Sequence, residues 1–290
     1  MKKMFTVAFI AAIVIVAACT TTTTRDLSGM TFSQQPLTGK FIWRDLITED
    51  VTAARRFYGG LFGWTFEDTK GPGGRDYVLA KSGNVYVAGM VPVAKPDDGT
   101  NLSRWLPYMS VADVDGTVAK ATAGGGRVAV AARNVNIGRV AAVVDPEGAV
   151  LGFVHSNIGD PDDATTAPAP GRAVWMELLS NDPAAATDFY RSIAGYTAET
   201  IARHGGQYTI MSASGVNRAG ILRNPTEHWD PTWLSYFGVE DPAAAARRAE
   251  SLGGSILLPV SPKVRDGTLA VVADPSGAVL VLQKLPMQGE

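Results

Sequence analysis

The sequence predicts an α+β protein of two tandem domains, each built from two β-α-β-β-β units whose curved mixed sheet surrounds a cleft. A long internal repeat carries this prediction. Trp43-Arg-Asp45-Leu46, Asp50, Phe57-Tyr58 and Gly63-Trp64-Thr65 recur as Trp175-Met-Glu177-Leu178, Asp182, Phe189-Tyr190 and Gly195-Tyr196-Thr197, every pair offset by 132 residues. Later in each copy, Trp105-Leu106-Pro-Tyr108 returns as Trp233-Leu234-Ser-Tyr236. Val144-Asp145-Pro146-Glu-Gly148-Ala-Val-Leu151 returns as Ala273-Asp274-Pro275-Ser-Gly277-Ala-Val-Leu280. Half-units echo each other too, since seven residues lead from Trp43 to Asp50 and seven from Leu106 to Asp113. The copies span 39–156 and 171–287. Residues 157–170 between them, with Asp160-Pro161-Asp162-Asp163 and Ala167-Pro168-Ala169-Pro170, read as a semi-extended linker.

Within the first copy, Lys40 to Ile47 alternates and carries aromatics, as a strand does. Asp50 is a good N-cap, and Val51 to Leu61 then places Ala54, Phe57, Tyr58 and Leu61 on one helical face. Tyr77 to Lys81 and Val85 to Val91 read as strands around a Ser82-Gly83-Asn84 turn. Trp105 to Val111 is a strand, and Asp113 to Gly124 a helix stopped by glycines. Val128 to Ala132, Val140 to Asp145 and Val150 to His155 complete the copy, the last two joined by an Asp-Pro-Glu-Gly turn. Each helix is expected on the convex sheet face, with Phe57-Tyr58 and Phe189-Tyr190 as its packing surface. Gly71-Pro-Gly73-Gly74 and Gly124-Gly-Gly126 have no Lys-Ser/Thr after them and no helix start behind them, so they read as turns rather than phosphate loops.

Ahead of the domains, Lys2 and Lys3 precede an apolar run from Met4 to Ala18, so residues 1–18 have the form of a secretory signal too short to span a bilayer comfortably. The run ends Val16-Ala17-Ala18-Cys19, which resembles a bacterial lipobox. That resemblance implies that Cys19, the single cysteine, becomes a lipid-modified N-terminus that anchors the protein to the cell envelope. Thr20 follows it rather than aspartate, which favours the outer membrane, facing the periplasm, if the source is Gram-negative. Residues 19–38 are rich in Thr, Ser and Gln and read as a flexible tether. With 26 Lys and Arg against 28 Asp and Glu, the chain has no basic excess to hold a phosphate backbone, so no nucleic-acid partner is expected.

The Trp-x-Asp/Glu-Leu strand, the Asp-capped helix ending in Phe-Tyr, the following Gly-Trp/Tyr-Thr and the closing Asp-Pro-x-Gly turn together resemble the vicinal oxygen chelate superfamily. That group includes glyoxalase I, bleomycin-resistance proteins and extradiol dioxygenases. The resemblance implies His, Glu or Gln ligands at four strand positions. In the first domain these fall on Trp43, on or beside Gly89, on Leu106 and on Gly152; in the second, on Trp175, on or beside Gly220, on Leu234 and on Val281. None of these side chains ligates a divalent metal, and the neighbours Trp105, Trp233, Ala88 and Ala219 do not either. No metal and no cofactor are therefore expected.

Strand parity shows which side chains stand in the clefts instead. Residues two apart share a face, so Asp45 accompanies Trp43 and Tyr108 accompanies Leu106; the repeat adds Trp175, Glu177 and Tyr236. An acid and a phenol beside an indole in an apolar cleft suit a small polar or cationic ligand, and these six residues are expected to line a cavity in each domain. The same groups also serve if they merely satisfy one another in a packed interior. An enzymatic reading, with Glu177 as general base and Tyr236 as acid, stays open at this point, as does a metal-dependent lyase, isomerase or dioxygenase using other ligands. A third reading is an interaction module at the envelope. The three histidines, His155, His204 and His228, lie in separate contexts without ligand spacing, and Glu227-His228-Trp229 is a loop near the cleft mouth. The expected partner is an unidentified small molecule, and the two domains are expected to pack on each other as a pseudo-dimer.

Overall fold

The structure is a computed structural model that describes residue 27 and residues 30–286, apart from 136, 204 and 227–228. Cys19, the proposed signal segment, His204, Glu227 and His228 lie outside the described residues. The first domain runs β1 (Phe41–Thr48), α1 (Val51–Phe62), β2 (Thr65–Lys70), β3 (Asp76–Ser82), β4 (Val85–Pro92), β5 (Arg104–Ser110), α2 (Val114–Ala123), β6 (Arg127–Val135), β7 (Gly138–Val144) and β8 (Val150–Ser156). The second repeats the order with β9 (Ala173–Ser180), α3 (Pro183–Ala194), β10 (Thr197–Arg203), β11 (Gly206–Ala213), β12 (Val216–Arg223), β13 (Thr232–Val239), α4 (Pro242–Ser251), β14 (Ser255–Leu258), β15 (Leu269–Ala273) and β16 (Val279–Lys284). Each domain is one 8-stranded mixed sheet, ordered β2-β3-β4-β1-β5-β8-β7-β6 and β10-β11-β12-β9-β13-β16-β15-β14. The four β-α-β-β-β units expected from the repeat are present.

Aspartates set the helix starts and the closing turns. Asp50 Oδ1 accepts from the Ala53 amide at 2.8 Å, and Asp113, Asp182 and Asp241 cap α2, α3 and α4 in the same way. In the closing turn, Asp145 Oδ1 accepts from the amides of Glu147, Gly148 and Ala149 at 2.8–2.9 Å, and Gly148 supplies the positive φ of 110° that the turn needs. The strand that element-by-element reading did not delimit is β2. Its sequence, Thr-Phe-Glu-Asp-Thr-Lys, forms a sheet edge with little burial and so lacks apolar alternation.

The tether and linker are more ordered at their junction than their composition implies. Residues 31–37, assigned to the flexible tether, lie against the linker: the Ser33 amide donates to Asp160 O at 2.8 Å and the Leu37 amide to Asp160 Oδ2 at 2.6 Å. Asp160 is buried and also accepts from Ser110 Oγ at 2.5 Å, while Asp162 caps its own turn through the Thr165 amide. Carboxylates of the linker answer backbone donors, which fixes the segment.

Hydrophobic cores are shared between domains. Phe41, Met109, Phe153 and Leu151 of the first domain pack with Met176, Phe189, Tyr190 and Trp233 of the second, whereas Phe57, Tyr58, Trp64 and Trp105 pack with Phe237, Leu280 and Leu282. Helix α1 meets α4 and α2 meets α3. The Phe-Tyr motifs therefore reach beyond their own sheet: Tyr58 Oη donates to Asp274 Oδ2 at 3.1 Å and Tyr190 Oη to Asp145 Oδ2 at 2.8 Å, each bond joining a helix to the closing turn of the other domain. The helix-bearing faces meet here. The opposite faces carry separate clusters within each domain, around Tyr77, Leu106 and Tyr108 in one and Trp175, Leu234 and Tyr236 in the other.

Candidate functional site

The register of β1 places the candidate residues of the first domain together. Asp45 lies opposite Gly89 of β4 on one side and Leu106 of β5 on the other, and Trp43 lies opposite Tyr108, whose other neighbour is Gly152 of β8. In the second domain Glu177 lies between Gly220 and Leu234, and Tyr236 between Trp175 and Val281. Trp43, Gly89, Leu106 and Gly152, with Trp175, Gly220, Leu234 and Val281 in the repeat, are the strand positions at which the resemblance implies metal ligands. Each sheet thus brings an acid, a phenol and an indole to one patch.

Asp45 is fully buried. Its Oδ1 accepts from Tyr77 Oη at 2.6 Å and from Trp43 Nε1 at 2.9 Å, and Trp43 Nε1 also lies 3.1 Å from Tyr77 Oη. Burial pushes the Asp45 carboxyl up to about 6, against the pull of the hydrogen bonds from Tyr77 and Trp43. Asp45 has no ion pair among the described residues. Tyr108 leans the same way weakly, but Tyr108 Oη and Asp45 Oδ2 make no hydrogen bond and are both buried. Loss of solvent, then the neighbouring carboxylate, hold the Tyr77 and Tyr108 phenols well above their usual range. This cup holds an acceptor and a hydroxyl without partners.

The second cup answers the same acid differently. Tyr236 Oη donates to Glu177 Oε1 at 2.5 Å, Trp175 Nε1 donates to Tyr208 Oη at 2.9 Å, and Arg265 donates through Nη2 to Glu177 Oε2. The Arg265 guanidinium also lies over the Tyr208 ring, 4.9 Å from its centroid. Burial opposes the Arg265 charge, but Glu177, Tyr236 and Tyr208 outweigh it and raise the group above its ordinary range. Arg265 and Asp266 both adopt positive φ, 47° and 53°, in the 3₁₀ turn Arg265–Gly267 that delivers the guanidinium.

Glycine at the family's ligand positions makes room for these phenols. A Cβ on Gly89 would fall 1.5 Å from Tyr77 Oη and 2.4 Å from Asp45 Oδ1; on Gly220 it would fall 1.9 Å from Tyr208 Oη, and on Gly152 2.0 Å from the Tyr108 ring. Tyrosine side chains occupy the volume into which a ligating side chain would project. Trp43, Leu106, Trp175, Leu234 and Val281 at the remaining positions offer no imidazole or carboxylate. The residues at these positions therefore do not fit a divalent metal, and no group of three His, Cys, Asp or Glu suited to one occurs among the described residues.

Of the six residues expected to line a cavity, Trp175 borders a cleft of about 510 Å³ between the domains, and the other five do not. Asp45, Tyr108, Glu177 and Tyr236 are instead buried, each at most 3% exposed, and Trp43 is half-buried with its N–H already engaged. His155 lies at the end of β8, its Nδ1 3.2 Å from Val111 O. Sequence reasoning missed Tyr77, Tyr208 and Arg265. The two tyrosines recur 131 residues apart and could have been found from the repeat; Arg265 comes from an irregular loop, where strand parity says nothing.

A family model described as the Glyoxalase/Bleomycin resistance protein/Dioxygenase superfamily matches residues 40–153 and 172–282. The chain is 34% identical over 252 residues to "Putative glyoxylase CFP32" of Mycobacterium bovis, covering 85% of this chain and 95% of that protein. It is 31% identical to "Anthracycline biosynthesis protein DauV" of Streptomyces sp., covering 81% and 90%. Among solved structures, the Mn(II)-bound glyoxalase from Novosphingobium aromaticivorans shares the fold at a TM-score of 0.55 and 15% identity, over 86% of this chain and 83% of that one.

Proposed function

The chain belongs to the glyoxalase/bleomycin resistance protein/dioxygenase superfamily, and from that premise we propose that it is a metal-independent, lipid-anchored protein that binds a small molecule bearing a cationic or hydrogen-bond-donating group. The ligand meets Asp45 Oδ2 and Tyr108 Oη in the first cup. The carrying observation is that pair of buried, unpartnered polar atoms, set beside a second cup in which the same acid holds a guanidinium from the chain itself. The second domain supports the chemistry: a cation enters this kind of cup, bonds the carboxylate and stacks on a tyrosine face. Metal independence is supported by the glycines and tyrosines at the ligand positions. Anchoring rests on Cys19 in its lipobox-like context, and if the source is Gram-negative the protein then faces the periplasm from the outer membrane.

Benzylguanidinium and benzylammonium, with benzyl alcohol as the neutral control, test the cup. The two cations are expected to bind the purified protein, with Asp45→Asn weakening them roughly ten- to a hundredfold, as expected for a lost charge-assisted bond. Unchanged binding in Asp45→Asn, or stoichiometric metal bound by the protein as purified, would overturn the reading. Cys19→Ser is expected to move the protein out of the membrane fraction; a membrane-bound, unmodified Cys19→Ser chain would remove the anchor from the proposal.

A further inference from the structure

We propose that the cleft between the two domains, lined by Arg44, is a second ligand site that takes an organic carboxylate with an apolar body. Arg44 precedes Asp45 in β1, so strand parity turns it away from the cup. It lines a cleft of about 510 Å³, within the range of small-molecule sites, whose walls include Phe41, Ile42, Trp175 and Met176 from the two domains' equivalent strands. The charge is one-sided. Lys40, Arg44, Arg172 and Arg218 line the cleft against a single carboxylate, Asp163, in a chain whose formal net charge is −2.

That carboxylate is already committed. Asp163 Oδ1 lies 2.9 Å from Lys40 Nζ and 2.7 Å from Arg218 Nη1, and both cations are nearly buried. Arg44 has no carboxylate partner among the described residues. Its Nη1 donates to Val87 O at 3.2 Å, and its Nε is buried without a partner, as is Nε of Arg218. Loss of solvent pulls the Arg44 guanidinium down to about 10. A half-buried cation with one backbone acceptor costs stability that an arriving carboxylate restores.

The internal repeat shows that the fold does not require this charge. Arg44 corresponds to Met176, so the second domain builds the equivalent strand with an apolar residue facing the same cleft. Lys40 and Arg172, by contrast, are themselves repeat equivalents and place one cation on each side. A planar guanidinium in a cleft with further cations and apolar walls fits a carboxylate bidentately while the ligand's body rests on Ile42 and Trp175.

Calorimetric titration with 2-naphthoate and its neutral isostere 2-naphthamide separates charge from apolar fit. The purified protein is expected to bind the carboxylate at least tenfold more tightly than the amide. Arg44→Met, which copies the other repeat, should abolish that preference and Arg44→Lys should keep part of it, while benzylammonium binding at the cup survives Arg44→Met, so this site and the cup succeed or fail separately. If Arg44→Met does not fold, Arg172→Met at the rim serves instead, with an expected two- to fivefold loss of the preference. Equal affinity for acid and amide, no binding of either, or a preference that survives these substitutions would overturn the proposal.

Discussion

Asp45 illustrates how a single residue can trade stability for a site. Its folded-state carboxyl titrates near 6, above the 3.8 of an unperturbed aspartate. Between those values the folded protein holds a proton that the unfolded chain releases, so this group's contribution falls as pH rises from about 4 to about 6 and stays low above that. The displacement corresponds to about 3 kcal/mol. Asp45→Asn should therefore raise stability at pH 8 by up to about 3 kcal/mol and leave it nearly unchanged near pH 4, because Asn keeps an acceptor for Trp43 and Tyr77 and offers Tyr108 a donor. Urea denaturation of both proteins at pH 4.5, 6 and 8 checks this; parallel curves would show that Asp45 is not the titrating group. A cationic ligand on Oδ2 favours the carboxylate, so affinity should also rise through pH 6. Parity sufficed to bring Trp43, Asp45 and Tyr108 to one face. It could not single out Tyr77 and Tyr208, since an alternating strand marks a residue as buried without saying whom it meets, and it could not reach Arg265, whose turn has no apolar period.

At the scale of elements, the closing turns do more than end a hairpin. Asp145 accepts three backbone amides of its own turn and, through Oδ2, the hydroxyl of Tyr190 on α3 of the other domain. One side chain therefore sets the β7–β8 connection and seats a helix across the interface. Asp145→Ala leaves those amides and the Tyr190 hydroxyl without their acceptor and should cost about 3 kcal/mol or more, whereas Tyr190→Phe removes one bond and should cost about 1–2 kcal/mol. Chemical denaturation measures both, and equal losses would mean that the turn's amides find other acceptors. The Asp-Pro-x-Gly signature was legible as a turn, but its second partner was not, because a contact spanning 45 residues between domains leaves no local pattern. Edge strand β2 was hard to delimit for a related reason: little buried along its length, it shows no alternation to read.

For the whole molecule, the repeat signals two copies of one unit, yet the packing makes each copy incomplete. Tyr58, Trp64 and Trp105 of the first domain form an aromatic cluster with Phe237 of the second, at centroid distances of 5.2–6.4 Å when Phe62 is included. Tyr190 and Trp233 face Phe41 and Met109 on the pseudo-equivalent side. Cutting the chain between the domains uncovers these side chains in both halves. Each large apolar side chain re-exposed costs about 1.5–3 kcal/mol, so losing even six of them removes about as much as the 5–15 kcal/mol that holds a typical domain together. Residues 39–156 expressed alone are therefore expected to be unfolded or self-associated, and mixing with residues 171–287 should recover near-ultraviolet dichroism from the interface aromatics. Sedimentation equilibrium and dichroism decide this: a folded, monomeric 39–156 fragment would show that the first domain carries its own sufficient core. The cleft around Arg44 requires both copies as well, because Arg44 and Lys40 come from one domain and Trp175, Arg172 and Arg218 from the other. The linker's Asp163 lines it too, so anion binding should vanish in either fragment and return only on reassembly with a second fragment that begins at residue 157.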